Sequence, residues 1–208
     1  MTAELFFKLL LFSCWTLAYV LIIRRAWLDK VPAMPFPATC LNTAWEGMML
    51  GAHEPWGLGF NTVLVWFLLD CVILVQFFVY GRPHGGTGIR DRVFWPASLA
   101  VLAVGIGTPL AIRATFDDPN GLYSAYFQNA LMSVLFCTML LQRDSLSGQS
   151  LYIALAKFLG SAVVITYGEP SDTFLIWCYA IWVVFDLAYI ALLWMVARRD
   201  GIALLRRL

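Results

Sequence analysis

The chain has 208 residues, of which 61% are hydrophobic and only 13% are charged, and its formal net charge is +1. Soluble domains carry roughly 25% charged residues, so this composition excludes an ordinary soluble domain. The near-neutral charge provides no basic surface for nucleic acid, and no nucleic-acid partner is expected. Two isolated histidines and five cysteines without a C-x-x-C spacing argue against a metal centre, so we expect no metal and no cofactor.

Seven apolar blocks run along the chain, separated by short polar segments, which is the pattern of membrane-spanning helices. In chain order they cover residues 4–23, 38–52, 59–80, 93–112, 121–141, 150–167 and 173–196. The second block is the shortest and carries Asn42 and Glu46, so a re-entrant segment is an alternative to a full span there. We therefore predict an all-α membrane protein, a seven-transmembrane helix bundle that forms one domain over residues 1–208.

Lysine and arginine residues are distributed unevenly around these blocks. The loops after the first, third and fifth blocks, together with the C-terminal segment, hold eleven of the fourteen lysine and arginine residues. Because cytoplasmic loops are enriched in these residues, we expect the N-terminus outside and the C-terminus in the cytoplasm. The same asymmetry favours an odd number of spans.

Three carboxylic acids fall inside predicted helices: Glu46, Asp70 and Asp186. Each costs about 2.5–3.5 kcal/mol at the centre of a spanning helix, so such acids face the bundle interior and are candidates for function. Amide and aromatic residues near them at helical spacing are expected to bind substrate. These residues are Asn42, Trp45, Trp66, Tyr179, Trp182 and Tyr189. The structural alternatives are interhelical hydrogen bonding by the acids and simple packing of the rings.

Acids and aromatic rings together inside a membrane indicate a specific chemistry. A carboxyl group in an apolar site tends to keep its proton, and aromatic rings stabilise a nearby positive charge. This combination suits a carbocation cyclisation in which the acid protonates an alkene or an epoxide in a dry site. The chain lacks the D-D-x-x-D and D-x-D-D patterns of soluble terpene cyclases, so a cyclase of this kind would protonate its substrate without metal.

Two segments resemble the integral-membrane terpene cyclases of fungal meroterpenoid and bacterial indole-terpenoid (drimentine-type) pathways. The segment LNTAWEGMML resembles their N-x-x-W-E segment, and WVVFDLAYIALLW resembles their last helix, which carries an essential acid. The resemblance implies a seven-helix fold with Glu46 and Asp186 as the acid pair and Asp70 at a similar helix 3 position. It also implies cyclisation of a farnesyl or geranylgeranyl chain attached to an aromatic or indole unit.

The short chain is more similar to the bacterial branch of that family, which favours alkene protonation of farnesylated indole compounds. The resemblance therefore implies a multi-pass protein of a bacterial plasma membrane. Its partners would be the lipid bilayer and a lipophilic prenylated small molecule. Lys157, in the sixth block, either snorkels to the membrane edge or pairs with a carboxylate, and pairing would argue against that acid as the proton donor.

Two functions other than cyclisation, and a structural membrane scaffold without chemistry, stay open from the residues alone. A proton-coupled transporter or carrier also has acids inside the membrane, although this chain is small and shows no internal repeat. A sterol isomerase or lipid-binding membrane protein of the emopamil-binding type would share the cationic chemistry. Such a protein would normally have fewer helices and a different pattern of acids.

Overall fold

The computed structural model describes residues 3–51, 59–82, 89–164 and 172–207. Within these residues the chain forms seven α-helices and one short 3-10 helix, and it contains no β-strand. The helices are α1 (Ala3–Asp29), α2 (Phe36–Leu50), α3 (Phe60–Tyr80), α4 (Ile89–Phe116), α5 (Leu122–Arg143), α6 (Leu151–Val164) and α7 (Thr173–Arg199), and the 3-10 helix is Leu204–Arg206. Both histidines, His53 and His84, lie outside the described residues.

Each predicted block corresponds to one helix, so the prediction of an all-α protein is confirmed. Five of the described helices, namely α1, α3, α4, α5 and α7, are long and apolar enough to cross a membrane. The other two, α2 and α6, have 15 and 14 described residues. A full span needs about 20 residues, so seven complete spans stay a prediction. The predicted end of the sixth block, at residue 167, lies outside the described residues.

Several helices extend beyond the blocks that hydropathy marks. The first predicted helix ended at residue 23, but α1 continues to Asp29, and Arg25 forms an ion pair with Asp29 on its last turns. Likewise α4 includes Arg113 and α7 includes Arg199. Hydropathy detects the apolar part of a helix, whereas i,i+4 pairs and helix-forming residues let the same helix continue with charged side chains.

Among the described residues, several charged side chains are buried in the interior, while many large apolar side chains cover the outer surface. Glu46, Asp70, Lys157 and Asp186 are each at most 2% exposed, whereas many leucine, valine and tryptophan side chains on the outer surface are about half exposed. A soluble protein has the opposite distribution, because water solvates charge and excludes apolar surface. This arrangement, together with the long apolar helices, is that of a multi-pass membrane protein.

Six of the helices form a ring in the order α1, α3, α2, α5, α7 and α6, and α6 closes the ring against α1. The remaining helix, α4, lies outside the ring and packs on α2 and α5. At the contact between α4 and α2, a Cβ added at Gly105 would lie only 2.5 Å from the Cys40 Cβ. Glycine at residue 105 thus allows a close approach that a larger residue would prevent. The ring positions α2 with one face toward the centre of the bundle.

Candidate active site

A cavity lies inside the ring of helices, and its empty volume is about 540 Å³ when the open space at its mouth is included. Six aromatic side chains line the cavity: Trp15, Tyr19, Trp45, Trp66, Tyr126 and Trp182. Its polar lining consists of Asn42, Glu46, Gln128 and Asn129. An apolar, aromatic wall with a few polar groups is the composition expected of a site for a lipophilic molecule.

Glu46 belongs to a buried polar cluster built by α1, α2 and α3. The Tyr19 hydroxyl donates a hydrogen bond to Glu46 Oε1 at 3.0 Å, and Asn42 Nδ2 donates to the Tyr19 hydroxyl oxygen at 2.8 Å. Asn42 and Glu46 are four residues apart on α2, so they share one helix face. Glu46 is 1% exposed and lines the cavity. The cluster therefore fixes the orientation of one carboxyl group at the cavity wall.

Asp70 completes this cluster from α3. Its side chain lies against those of Glu46 and Asn42, and it is fully buried. Neither Asp70 oxygen nor Glu46 Oε2 has a well-formed hydrogen bond to a described residue. Two neighbouring buried carboxyl groups cannot both be ionised at low cost, so such a pair retains at least one proton. Asp70 is absent from the cavity lining and so stands behind Glu46 as its partner.

Aromatic rings surround the acid cluster. The Tyr19 and Trp66 rings meet edge to face with centroids 6.5 Å apart, and the Trp15 and Tyr19 centroids are 5.9 Å apart. Trp66 Nε1 donates to Thr16 Oγ1 at 3.1 Å, and Trp45 Nε1 donates to the Gly121 carbonyl oxygen at 2.9 Å. Because their N–H groups are bonded away from the ligand space, Trp45 and Trp66 present mainly ring surface to the cavity.

The opposite wall is formed by α5 and α7. Tyr126 packs against Trp182 with centroids 4.8 Å apart, and Tyr179 packs edge to face on Trp182 at 5.2 Å. Two neighbouring amides of α5, Gln128 and Asn129, face the same cavity. Sequence reasoning missed both amides and Tyr19. For the amides a signal was present, since they form a polar stripe with Ser124 and Ser133 at helical spacing within an apolar helix.

Asp186 lies apart from Glu46 and Asp70, in a second buried cluster. Lys157 Nζ lies 2.7 and 2.9 Å from the two Asp186 carboxylate oxygens and 2.7 Å from Ser133 Oγ. Lys157 is 2% exposed, so it does not snorkel to the membrane edge, and the alternative of pairing is the one observed. The predicted catalytic role of Asp186 stays a prediction, and the pairing does not favour proton donation.

The structure brings some predicted site residues to the cavity and leaves others outside it. Asn42, Trp45, Glu46, Trp66 and Trp182 line the cavity. Asp70, Tyr179, Tyr189 and Asp186 do not line it. Among these, Tyr189 shares a face of α7 with Trp182 but packs on Phe136, with ring centroids 5.3 Å apart.

Within the described ranges, no group of three or more histidine, cysteine, aspartate or glutamate side chains lies close enough together to hold a metal ion.

The first turn of α7 is capped by Asp172, whose carboxylate accepts a hydrogen bond from the Leu175 N–H at 2.9 Å. Hydrogen bonds from the Tyr123 hydroxyl and from the Leu175 N–H lower the pKa of Asp172. This cap fixes the start of the helix that carries Trp182.

The family of the chain follows from comparison with known proteins. Residues 2–199 match the profile of the Pyr4-like transmembrane terpene cyclases. The chain belongs to this family. The match confirms the resemblance seen in the two short motifs, and it places the chain among membrane terpene cyclases.

Individual relatives of this cyclase are fungal enzymes. It is 29% identical over 156 residues to the Pyr4-family terpene cyclase mfmH of Annulohypoxylon moriforme, an alignment that covers 71% of this chain but only 62% of that relative. It is 25% identical over 210 residues to the terpene cyclase spyD of Aspergillus fumigatus, covering 91% and 86% of the two chains. To the terpene cyclase trt1 of Aspergillus terreus it is 32% identical over 135 residues, covering 63% and 64%.

No solved structure matches this cyclase. The relatives named above come from fungi, so the expected bacterial origin gains no support from them. The membership supports a lipophilic substrate and a location in the membrane.

Proposed function

We propose that this cyclase protonates a prenyl chain attached to an aromatic or indole unit and closes its rings without a metal ion. The observation that carries the proposal is the buried Glu46 carboxyl group at the wall of an aromatic cavity, with its Oε2 free of hydrogen bonds to the described residues. A buried acid of this kind, with Asp70 behind it, supplies a proton inside a site from which water is excluded. By analogy with the family resemblance, we propose that the prenyl chain of the substrate is farnesyl.

In the proposed first step, Glu46 gives its proton to the terminal alkene of the prenyl chain. The alkene π electrons form the new C–H bond, which leaves a tertiary carbocation on the adjacent carbon and a carboxylate on Glu46. In a substrate with an epoxide, the proton goes to the epoxide oxygen, and the C–O bond breaks to give the same kind of cation. Asp70 holds the remaining proton of the pair, so two charged carboxylates do not accumulate.

Ring closure then moves the positive charge along the chain. Each remaining alkene attacks the cation in turn, and loss of one proton from the last cation gives a neutral cyclic product. The Glu46 carboxylate accepts that proton, which restores the acid, so the reaction is an isomerisation with no net loss of atoms. The faces of Trp15, Trp66 and Trp182 stabilise the cation at successive positions.

Tyr19 and Asn42 have a positioning role in this scheme. Tyr19 bonds to one Glu46 oxygen, which leaves Oε2 free of described hydrogen-bond partners. A carboxyl group held through one oxygen can present the other oxygen to the substrate in a constant direction. Asn42 orients the Tyr19 hydroxyl in turn.

The membrane arrangement belongs to the same proposal. In this proposal the seven described helices make up one domain, with the shorter α2 and α6 completing the ring between longer spans. The excess of lysine and arginine near the ends of α1, α3, α5 and α7 supports an orientation with the C-terminus in the cytoplasm and the N-terminus outside. A substrate dissolved in the bilayer then reaches the cavity without leaving the membrane.

The test uses membranes from a host that expresses the full chain. Farnesylated and geranylgeranylated phenols and indoles are added, and cyclic products of unchanged mass are separated and identified by NMR. We expect Glu46→Gln to fold and to lose turnover, since the amide keeps the volume but has no acidic proton to give. Asp144→Asn, at an exposed carboxylate paired with Arg199, is the matched control and should retain turnover. An active Glu46→Gln enzyme would remove Glu46 from the donor role.

A further inference from the structure

Two polar atoms on the α5 and α7 wall of the cavity have no partner among the described residues. Gln128 Oε1 and Trp182 Nε1 are buried without a hydrogen bond. Gln128 is 8% exposed and Trp182 is 1% exposed, and both side chains line the cavity. Buried polar groups in native proteins nearly always find a partner, and one that does not is explained by a bound molecule or by function.

Comparable polar groups around the cavity do have partners within the protein. Asn129, next to Gln128, exchanges hydrogen bonds with Ser161, with Asn129 Nδ2 at 3.0 Å from Ser161 Oγ. The indole N–H groups of Trp45 and Trp66 are also satisfied by protein oxygen atoms. Among the cavity-lining residues that the structure describes, the only other side chain with such an unpaired atom is the proposed donor, Glu46.

The unpaired atoms stand on a different wall from the acid. Glu46 projects from α2, and its partners belong to α1 and α3, whereas Gln128 and Trp182 belong to α5 and α7. One unpaired atom accepts a hydrogen bond and the other donates one. A ligand that satisfies both therefore carries an O–H or N–H donor and an oxygen acceptor in its polar part.

We propose that Gln128 and Trp182 form a head-group subsite for the aromatic unit of the substrate. Gln128 Oε1 accepts from a hydroxyl or N–H group of that unit, and Trp182 Nε1 donates to an oxygen atom on it. The prenyl chain then extends from this wall toward Glu46, which places its terminal alkene at the acid. The subsite rests on the proposed function for the identity of the chain, and it selects hydroxylated aromatic head groups over hydrocarbon ones.

The test measures binding as well as turnover, so that failure of the head-group subsite can be distinguished from failure of the proposed cyclase function. The ligands are 2-farnesylphenol, its methyl ether and farnesylbenzene, added to the purified full chain in lipid nanodiscs. The wild-type protein should bind the phenol about tenfold or more tighter than the methyl ether, since the ether has no donor for Gln128. Gln128→Met should lose this discrimination while binding of farnesylbenzene changes little.

Gln76→Met is the matched control for Gln128→Met. Gln76 is also 8% exposed and also has an unpaired buried Oε1, but it lies outside this cavity. The Gln76→Met variant should therefore keep the preference for the phenol over the methyl ether. Trp182→Phe keeps an aromatic ring but removes the N–H group, so it should weaken binding of the phenol and the ether alike, and not that of farnesylbenzene.

The outcomes separate the subsite from the cyclase mechanism. Discrimination by the wild-type protein that disappears in Gln128→Met supports the subsite, even if no ligand is cyclised, and the absence of turnover would then count against the proposed function alone. Equal binding of phenol and ether by the wild-type protein, or no saturable binding of either, would overturn the subsite. Loss of the preference in Gln76→Met would also overturn it.

Discussion

Lys157 and Asp186 form a buried ion pair in which Lys157 Nζ lies 2.7 and 2.9 Å from the two carboxylate oxygens. The pair joins α6 to α7, and both residues are 2% exposed. Removing one partner of such a pair leaves an unpaired charge in the bundle interior. Loss of activity on changing Asp186 alone therefore has two physical explanations, chemistry and folding.

The ion pair predicts that Asp186→Ala destabilises the fold by about 3–5 kcal/mol, because it leaves Lys157 charged and buried. Lys157→Met combined with Asp186→Leu removes both charges at similar volume and should recover most of that loss. Unfolding in detergent or nanodiscs measures both variants. A double variant no more stable than Asp186→Ala would contradict this account. A stable but inactive double variant would assign the pair a role in the chemistry beyond folding.

Tyr19→Phe tests the positioning of the proposed donor. The variant removes the hydrogen bond to Glu46 Oε1 and the acceptor for Asn42, so the acid loses its fixed direction. A misplaced catalytic group can cost about a hundredfold in rate, and we expect kcat to fall by about ten- to a hundredfold with a smaller change in KM. Tyr152→Phe removes a hydroxyl that bonds the Leu205 carbonyl oxygen, away from the cavity, and should leave kcat unchanged. Equal kcat values for the two variants would refute the positioning role.

Trp66→Leu tests whether the rings steer the carbocation. The Trp66 ring meets Tyr19 beside the acid, so its loss removes stabilisation from the first cations formed. We expect more partly cyclised products as a share of the total, measured by gas chromatography with mass spectrometry. Trp177→Leu, at a side chain that is 66% exposed, is the control. An unchanged product ratio in Trp66→Leu would assign this ring to packing.

A feature of the fold or of the site can be predicted from the sequence when it depends on residues that are close together along the chain. The helices were predictable because apolar runs are local, and Asn42 and Glu46 were predictable neighbours because they share one helix face. The contact between Glu46 and Asp70 joins two helices and depends on how α2 packs against α3. Periodicity carries no information on that packing.

The same limit explains the uncertain role of Lys157. Its partner Asp186 is on the next helix, 29 residues away, so the sequence left snorkelling and pairing equally possible. Gln128 was missed because an amide in an apolar helix is less conspicuous than an acid. Only its unpaired oxygen in the folded cavity marks it out.

The cap of α7 predicts a pH dependence of stability. Hydrogen bonds from Tyr123 and from the Leu175 N–H lower the pKa of Asp172 in the folded chain, whereas an unfolded aspartate has a pKa of about 3.9. The stabilisation is therefore fully present above that value and is lost as the pH falls through the lower folded pKa. Asp172→Ala should unfold more readily than wild type at neutral pH. The difference should shrink below about pH 4, and a difference independent of pH would contradict the cap.

Incorporation of deuterium tests the central claim most directly. Membranes containing the cyclase are incubated in heavy water with a farnesylated phenol that has no epoxide, and the product is analysed by mass spectrometry and NMR. Protonation of the alkene by an exchangeable carboxyl group predicts a cyclic product with one carbon-bound deuterium, on the former CH carbon of the terminal alkene. It also predicts no such product with Glu46→Gln. A cyclic product without carbon-bound deuterium would contradict initiation by proton transfer from Glu46.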